Sequence, residues 1–143
     1  MAYDPGYGPQ VAWTTGICDC CLDCESCILG WCFPCVLFGR NKQLLTGEDC
    51  CGACCTFCLV QWCAGCCLPC FTMTARTDLR RAQNLAKEPC GDCCTHYWCL
   101  PCALCQEHRQ MKMHGVSPVN PVFNERARLI APAPMAMPVV ETK

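Results

Sequence analysis

The chain has 143 residues, 22 of them cysteine, and carries a formal net charge of −1. This length allows one domain with a modest core. The near-neutral charge argues against nucleic acid as a partner, because phosphate binding needs a basic patch. The cysteine content is typical of a disulfide scaffold or of thiolate metal sites, and the cellular compartment decides between them.

Residues 1–15 are rich in glycine, proline and tyrosine, and we expect a flexible N-terminal arm there. The first ten residues have neither a basic start nor an apolar core, so they do not match a secretory signal. Thiols in an intracellular protein stay reduced, which favours metal binding. A disulfide-built extracellular protein is the disfavoured alternative.

Residues 16–115 contain all the cysteines and are predicted to form the folded domain. The cysteines fall into three clusters, at residues 18–35, 50–70 and 90–105. Each cluster contains the motif Cys-x-Pro-Cys, and this recurrence predicts a repeated structural unit. The motif lies at residues 32–35, 67–70 and 99–102.

Residues 50–75 contain no charged side chain, and these 26 residues are long enough to span a bilayer as a helix. Nine of them are cysteine, however, and Gly52, Gly65 and Pro69 interrupt the run. A buried metal–thiolate core would also lack charges. The residues themselves therefore leave a membrane span and a buried core as equal alternatives.

Two helices are predicted after this segment. Residues 74–87 place alanine and leucine on one face and Arg80 with other polar residues on the opposite face, which indicates an amphipathic helix. Residues 103–114 are good helix formers and end before Gly115, a residue typical of helix C-termini. No segment alternates polar and apolar residues for long, so little or no sheet is expected.

Residues 116–143 contain five prolines and no cysteine. Such a segment cannot build a core, and we expect a Pro-rich extended tail. The predicted fold class of the domain before it is a small cysteine-rich domain, mainly α-helical, with irregular metal-stapled loops.

Eleven Cys-x-x-Cys pairs overlap along the clusters, whereas random placement would give about three. This spacing aims both sulfurs at one point, where Zn²⁺ accepts them in a tetrahedron. We therefore predict more than one zinc ion and no organic cofactor. The predicted metal ligands are Cys18, Cys21, Cys24, Cys27, Cys32, Cys35, Cys51, Cys54, Cys55, Cys58, Cys63, Cys66, Cys67, Cys70, Cys90, Cys93, Cys99, Cys102, Cys105, His96 and His108. The two histidines are equally well explained as exposed helix residues.

Sequence signatures of catalysis are absent. There is no glycine-rich phosphate loop, nucleophile elbow or His-Glu-x-x-His. A redox Cys-x-x-Cys needs a thioredoxin-like βαβ setting that is not predicted. The chain is therefore predicted not to be an enzyme.

Two segments resemble the placenta-specific-8 motif family, which includes cornifelin, the plant cadmium-resistance proteins and the cell-number regulators. The first runs from Trp13 to Gly39 and contains Cys-Phe-Pro-Cys. The second runs from Trp98 to Gln106 and contains Cys-Leu-Pro-Cys. The resemblance covers about residues 13–115.

The resemblance implies a role without catalysis. Plant members are associated with the plasma membrane, with resistance to or movement of cadmium, zinc and calcium, and with cell number, and some form homo-oligomers. The family's cysteine motif falls on Cys27, Cys32 and Cys35. In plant members the central stretch is largely aliphatic, and the cysteines that crowd it here weaken a membrane span and favour a metal-bound core.

Two functions are expected. The first is a membrane-associated protein, at the plasma membrane or the cytoplasmic face of a membrane, that binds divalent metal and contributes to metal transport or tolerance or to cell-number regulation. The second is a zinc-stabilised structural or interaction module that docks into a larger cytoplasmic assembly.

Overall fold

The computed structural model describes residues 9–117 and 121–122. In this part the helices are α1 (Cys24–Cys32), α2 (Pro34–Thr46), α3 (Cys50–Ala64), α4 (Leu68–Gln83) and α5 (Asp92–Met113). Single 3₁₀ turns, Cys20–Leu22 and Gly65–Cys67, precede α1 and join α3 to α4. An isolated bridge between Val11 and Leu85 is the β-pairing among the described residues. The prediction of a small, mainly helical fold with little sheet is confirmed.

The helices are interrupted just before each Cys-x-Pro-Cys motif or within it. The non-helical residues are Phe33 (φ −137°, ψ 64°), Ala64 (φ −150°, ψ 55°) and Cys99 (φ −148°, ψ 73°). A proline ring disfavours the helical conformation in the residue before it but is tolerated in the first turn of a new helix. Pro34 accordingly begins α2, and Pro69 lies in the first turn of α4.

Contacts across two of the breaks show that the chain folds back on itself. Arg40 on α2 donates to Glu25 on α1 over 2.7 Å. Arg76 lies within 3.7 Å of Asp92 and 3.5 Å of Glu107, which stand on the two halves of α5. In a straight helix these two acidic residues would be about 22 Å apart. The repeated unit is therefore a helix, a break and a second helix that returns alongside the first.

In the middle unit, α4 folds back against α3 in the same way. The Phe38 ring on α2 lies 5.4 Å from the rings of both Phe57 on α3 and Phe71 on α4, measured between centroids. Phe38 and Phe57 belong to the hydrophobic core and Phe71 packs against it. Helix α2 and the second half of α5 contribute fully buried leucines to this core.

The three breaks lie at the same end of the molecule. Pro34 and Trp62 line one groove beside the first two breaks. A Cβ atom on Gly30 would lie 3.2 Å from the carbonyl oxygen of Pro101, beside the third. We call this the bent end, defined by Phe33, Ala64 and Cys99.

The two predicted helices exist with shifted boundaries. Residues 74–83 belong to α4, which ends at Asn84 in the left-handed conformation (φ 54°), a conformation that asparagine tolerates. Residues 103–113 belong to the second half of α5, and Gly115 follows with φ 68°. Placing Arg80 on the solvent face was wrong, because it is buried and its Nε donates to Asp92 over 3.2 Å.

A buried polar network connects α4 to both halves of α5. The Arg76 side chain is 1% exposed and donates through Nη2 to Gln106 (2.8 Å) and to the carbonyl oxygen of Glu88 (3.0 Å). Its guanidinium carbon lies 4.2 Å from the centroid of the Trp13 ring, within cation–π range. The described part of the expected arm, residues 9–15, therefore packs against this network. The expected tail falls mostly outside the described residues, as does the arm before residue 9.

One described stretch, Cys50–Gln83, is long and apolar enough to cross a membrane by length and composition. Only 17% of its most apolar window is buried within the structure, so the expectation of a buried core is not met there. The break at Ala64 divides the stretch. The 15 residues of α3 reach about 22 Å, short of the about 30 Å of a bilayer's hydrocarbon core.

Candidate metal site

Three cysteine thiols from α2 and α3 meet at the bent end. The Sγ atoms of Cys35, Cys54 and Cys58 all lie within 4.8 Å of one another. Within residues 9–117 and 121–122, these cysteines are the one group of three or more Cys, His, Asp or Glu side chains whose ligand atoms all lie within 4.8 Å of one another. We call them the three-thiol site.

Local sequence explains how the site is assembled. Cys54 and Cys58 are four residues apart on α3, so their side chains share one face of the helix. Cys35 stands in the first turn of α2, which packs on α3. Gly39, one turn later, allows this approach, because a Cβ atom there would lie 2.5 Å from the carbonyl oxygen of Cys50. The glycine thereby brings the first unit of the repeat against the second.

The geometry suits a soft metal ion. A tetrahedral zinc–thiolate site has Zn–S bonds of about 2.3 Å, which places its sulfurs about 3.8 Å apart. Sulfurs that lie within 4.8 Å of each other reach that separation by small side-chain rotations. Thiolate donors favour soft and borderline ions over Mg²⁺ or Ca²⁺.

Two of the three thiols, Cys54 and Cys58, have a raised pKa and so hold their protons strongly. Burial raises the pKa of Cys54 to about 12, and the Cys35 thiol beside it adds to the shift. The pKa of Cys58 is raised chiefly by its hydrogen bond with Cys35, with burial contributing less. Adjacent thiolates repel one another, so a metal ion must displace protons when it binds.

One side of the site opens into a groove at the surface. The groove has a volume of about 540 Å³ and is lined by Pro34, Cys35, Phe57, Cys58, Gln61 and Trp62. Cys54, the third thiol of the site, is not part of the lining. Trp62 is 90% exposed. The groove therefore gives solvent and small molecules direct access to two of the three sulfurs.

Other predicted ligands form pairs. The Sγ atoms of Cys70 and Cys93 lie 3.9 Å apart and bring α4 against the start of α5. Those of Cys66 and Cys67 are also 3.9 Å apart. Cys99 and Cys102 are joined as a disulfide, so their predicted metal binding concerns the reduced form. Hydrogen bonds between thiols also pair Cys27 with Cys20 and Cys90 with Cys94. The predicted ligands that join neither a pair nor the three-thiol site are Cys18, Cys21, Cys24, Cys32, Cys51, Cys55 and Cys63.

Cys105 and the two predicted histidine ligands have partners within the protein. The Cys105 thiol is buried and donates to the carbonyl oxygen of Ser26 over 3.1 Å, and burial raises its pKa to about 11. His96 donates through Nε2 to Glu107 (2.7 Å), and its Nδ1 lies 2.9 Å from Thr72 Oγ1. The Nδ1 of His108 donates to the side-chain oxygen of Asn41 over 2.9 Å. Burial lowers the pKa of His108.

The structure groups the predicted ligands differently from their sequence pairs. The three-thiol site takes one sulfur from each of three Cys-x-x-Cys pairs, namely 32–35, 51–54 and 55–58. The Cys-x-x-x-Cys spacing of Cys54 and Cys58 agrees with the site, because four residues complete about one helical turn, but the same spacing recurs at other cysteines and does not single this pair out. A Cys-x-x-Cys pair does not assemble a site by itself here.

Comparisons with known proteins match the chain over most of its length. Residues 13–110 match the model of the PLAC8 family. Cell number regulator 4 of Zea mays is 43% identical over 124 residues, which cover 81% of this chain and 78% of that protein. Plant cadmium resistance protein 10 of Arabidopsis thaliana is 36% identical over 116 residues, covering 70% of this chain and 61% of that protein. No solved structure matches.

Proposed function

The chain belongs to the PLAC8 family, and from this premise we propose that it binds a divalent metal ion at a membrane and contributes to the transport or tolerance of such ions. The observation that carries the proposal is the convergence of Cys35, Cys54 and Cys58. One relative is named for cadmium resistance and others for regulation of cell number. These names describe regulators and resistance proteins, which supports a binding role over a catalytic one.

Exposed aromatic side chains at the bent end support the membrane part of the proposal. Trp62 on α3 is 90% exposed and Trp98, beside the break in α5, is 78% exposed. Trp31, Phe33 and Tyr97 are also exposed near the breaks. Aromatic rings of this kind are enriched where proteins meet the lipid headgroup region. We propose that the bent end lies at the plasma membrane or on the cytoplasmic face of another membrane.

Expression in cells tests both parts of the proposal. We expect the protein to sediment with the membrane fraction and to change the cadmium or zinc content of the cells. Cys54→Ser should remove the effect on metal content while membrane association stays unchanged. Cys63→Ser is the matched control, because Cys63 is an exposed cysteine on the same helix outside the three-thiol site. A soluble protein without effect on metal content would contradict the proposal.

A structural zinc module is the second candidate, and one observation favours it. The three-thiol site takes Cys35 from the first unit of the repeat and the other two thiols from the second, so a bound ion would cross-link the two units. Metal binding of this kind adds its free energy to folding. Unfolding of the purified protein on addition of a chelator would favour this role over transport. A chain that stays folded after metal removal would favour transport.

A further inference from the structure

The three-thiol site supplies three sulfurs and leaves the remaining side open. Among the residues that the structure describes, no fourth cysteine, histidine or carboxylate joins the group within 4.8 Å. Zn²⁺ and similar ions take four ligands in a structural site, and a position without a protein ligand is typical of sites that accept a water or a substrate. The position of the open side therefore decides what completes the site.

The open side faces the groove. Cys35 and Cys58 line the groove, and the Cys54 sulfur lies within 4.8 Å of both, so an ion held by the three thiols borders the cavity and can take a ligand from it. The volume of about 540 Å³ falls within the range of about 300–1,000 Å³ that is typical of small-molecule sites. A ligand larger than water therefore fits beside the ion.

The chemistry of the groove favours one class of ligand. Pro34, Phe57 and Trp62 give apolar walls, and the Gln61 amide is the polar side chain among the lining residues besides the two thiols. Among the described residues, no charged side chain lines the groove, so a ligand there is held through the metal ion and hydrogen bonds and not through an ion pair with the protein. A thiolate matches the softness of the existing donors, and the Gln61 amide can hydrogen-bond the backbone of a small peptide.

We propose that a low-molecular-weight thiol, of the cysteine-containing peptide class, occupies this groove and provides the fourth sulfur to the metal ion. This inference rests on the proposed metal binding and names the ligand that accompanies it. The ion arrives as a complex with external thiolates, and each protein thiol replaces one of them. A metal–sulfur bond to the external ligand breaks, one to the protein forms, and the protein's proton leaves with the released thiol. The oxidation states of metal and sulfur stay unchanged.

The experiment is ¹¹³Cd NMR of the full-length reduced protein, titrated with reduced glutathione as the probe. The resonance of the three-thiol site is the one that Cys54→Ser removes and Cys63→Ser retains. We expect glutathione to move this resonance downfield, as sulfur replaces an oxygen donor on cadmium. Trp62→Ala should raise the glutathione concentration needed by about fivefold, because it removes an aromatic wall. Trp98→Ala should leave this glutathione concentration unchanged, because Trp98 is exposed but lies outside the groove.

Each other outcome is decisive. A resonance that Cys54→Ser removes but glutathione does not move would overturn the external-thiol inference while metal binding stands. Equal effects of the two tryptophan variants would overturn the assignment of the thiol to this groove. A spectrum that Cys54→Ser leaves unchanged would overturn both metal binding at the three-thiol site and the inference that rests on it.

Discussion

Replacing Glu107 tests the buried polar network that fixes the bend of α5. The Glu107 side chain is 2% exposed, accepts from His96 over 2.7 Å and lies 3.5 Å from Arg76 Nη1. Glu107→Ala removes both contacts and leaves Arg76 with Asp92 at 3.7 Å as its nearest carboxylate. Loss of one partner of a buried ion pair costs about 3–5 kcal/mol, because an uncompensated charge stays buried.

The matched control is Glu25→Ala. The Glu25–Arg40 pair is as short as the His96–Glu107 contact, at 2.7 Å, but the Glu25 carboxylate side chain is 64% exposed. Exposed pairs contribute about 0.2–1 kcal/mol, because water screens the charges and both side chains lose freedom. Burial, and not distance, should therefore set the difference between the variants.

Thermal and urea unfolding followed by circular dichroism measure the effect in the reduced protein. We expect Glu107→Ala to lower Tm by about 10–20 °C and Glu25→Ala by at most about 3 °C. Glu107→Gln keeps the side-chain shape and one acceptor oxygen, so its decrease in Tm should lie between those of Glu107→Ala and Glu25→Ala. This variant allows the comparison with Glu25→Ala even if Glu107→Ala does not fold. Equal losses of stability in Glu107→Gln and Glu25→Ala would refute the reasoning.

Two further substitutions probe the packing around α1. Gly30→Ala should reduce the free energy of unfolding by about 1–3 kcal/mol in urea titrations, because the added Cβ would lie 2.6 Å from the Cys105 sulfur. The control Gly91→Ala adds a Cβ that meets nothing within 4 Å and should change the free energy of unfolding by less than about 0.5 kcal/mol. Equal effects of the two variants would contradict the close contact at Gly30. The raised pKa of Cys105, about 11 against an ordinary 9.0, means that the unfolded chain loses this proton first as pH rises. The contribution of this thiol to the free energy of unfolding is therefore fully present below pH 9.0 and is lost as the pH rises toward 11. Cys105→Ser should reduce the slope of this loss by at most about 1.4 kcal/mol per pH unit. An unchanged slope would count against a buried neutral thiol at Cys105.

The fold was predictable from sequence where the signal was local. The prolines of the three Cys-x-Pro-Cys motifs predicted a repeated unit, and the break at Phe33 follows from what proline does to the residue directly before it. The breaks at Ala64 and Cys99 lie five and two residues before their prolines, so this effect does not place them. The helix C-terminus before Gly115 was predicted because glycine readily adopts a positive φ after a helix, and the structure has φ 68° there. Each of these features depends on a few neighbouring residues.

Features that depend on distant contacts were not predictable in the same way. Arg80 was assigned to solvent because it falls on the polar face of the predicted amphipathic helix, and only the packing of α5 on α4 brings Asp92 within 3.2 Å of it. The grouping of Cys35 with Cys54 and Cys58 depends on the packing of α2 on α3. With 22 cysteines in the chain, spacing identifies many pairs and cannot select the set that tertiary structure brings together.

Anomalous X-ray diffraction at the zinc edge, from crystals of the reduced protein loaded with zinc, tests the central claim most directly. We predict an anomalous peak bonded to Cys35, Cys54 and Cys58 at about 2.3 Å from each sulfur, with its fourth ligand in the groove lined by Gln61 and Trp62. Zinc bound at other cysteines, with these three thiols ordered and without a peak between them, would contradict the account.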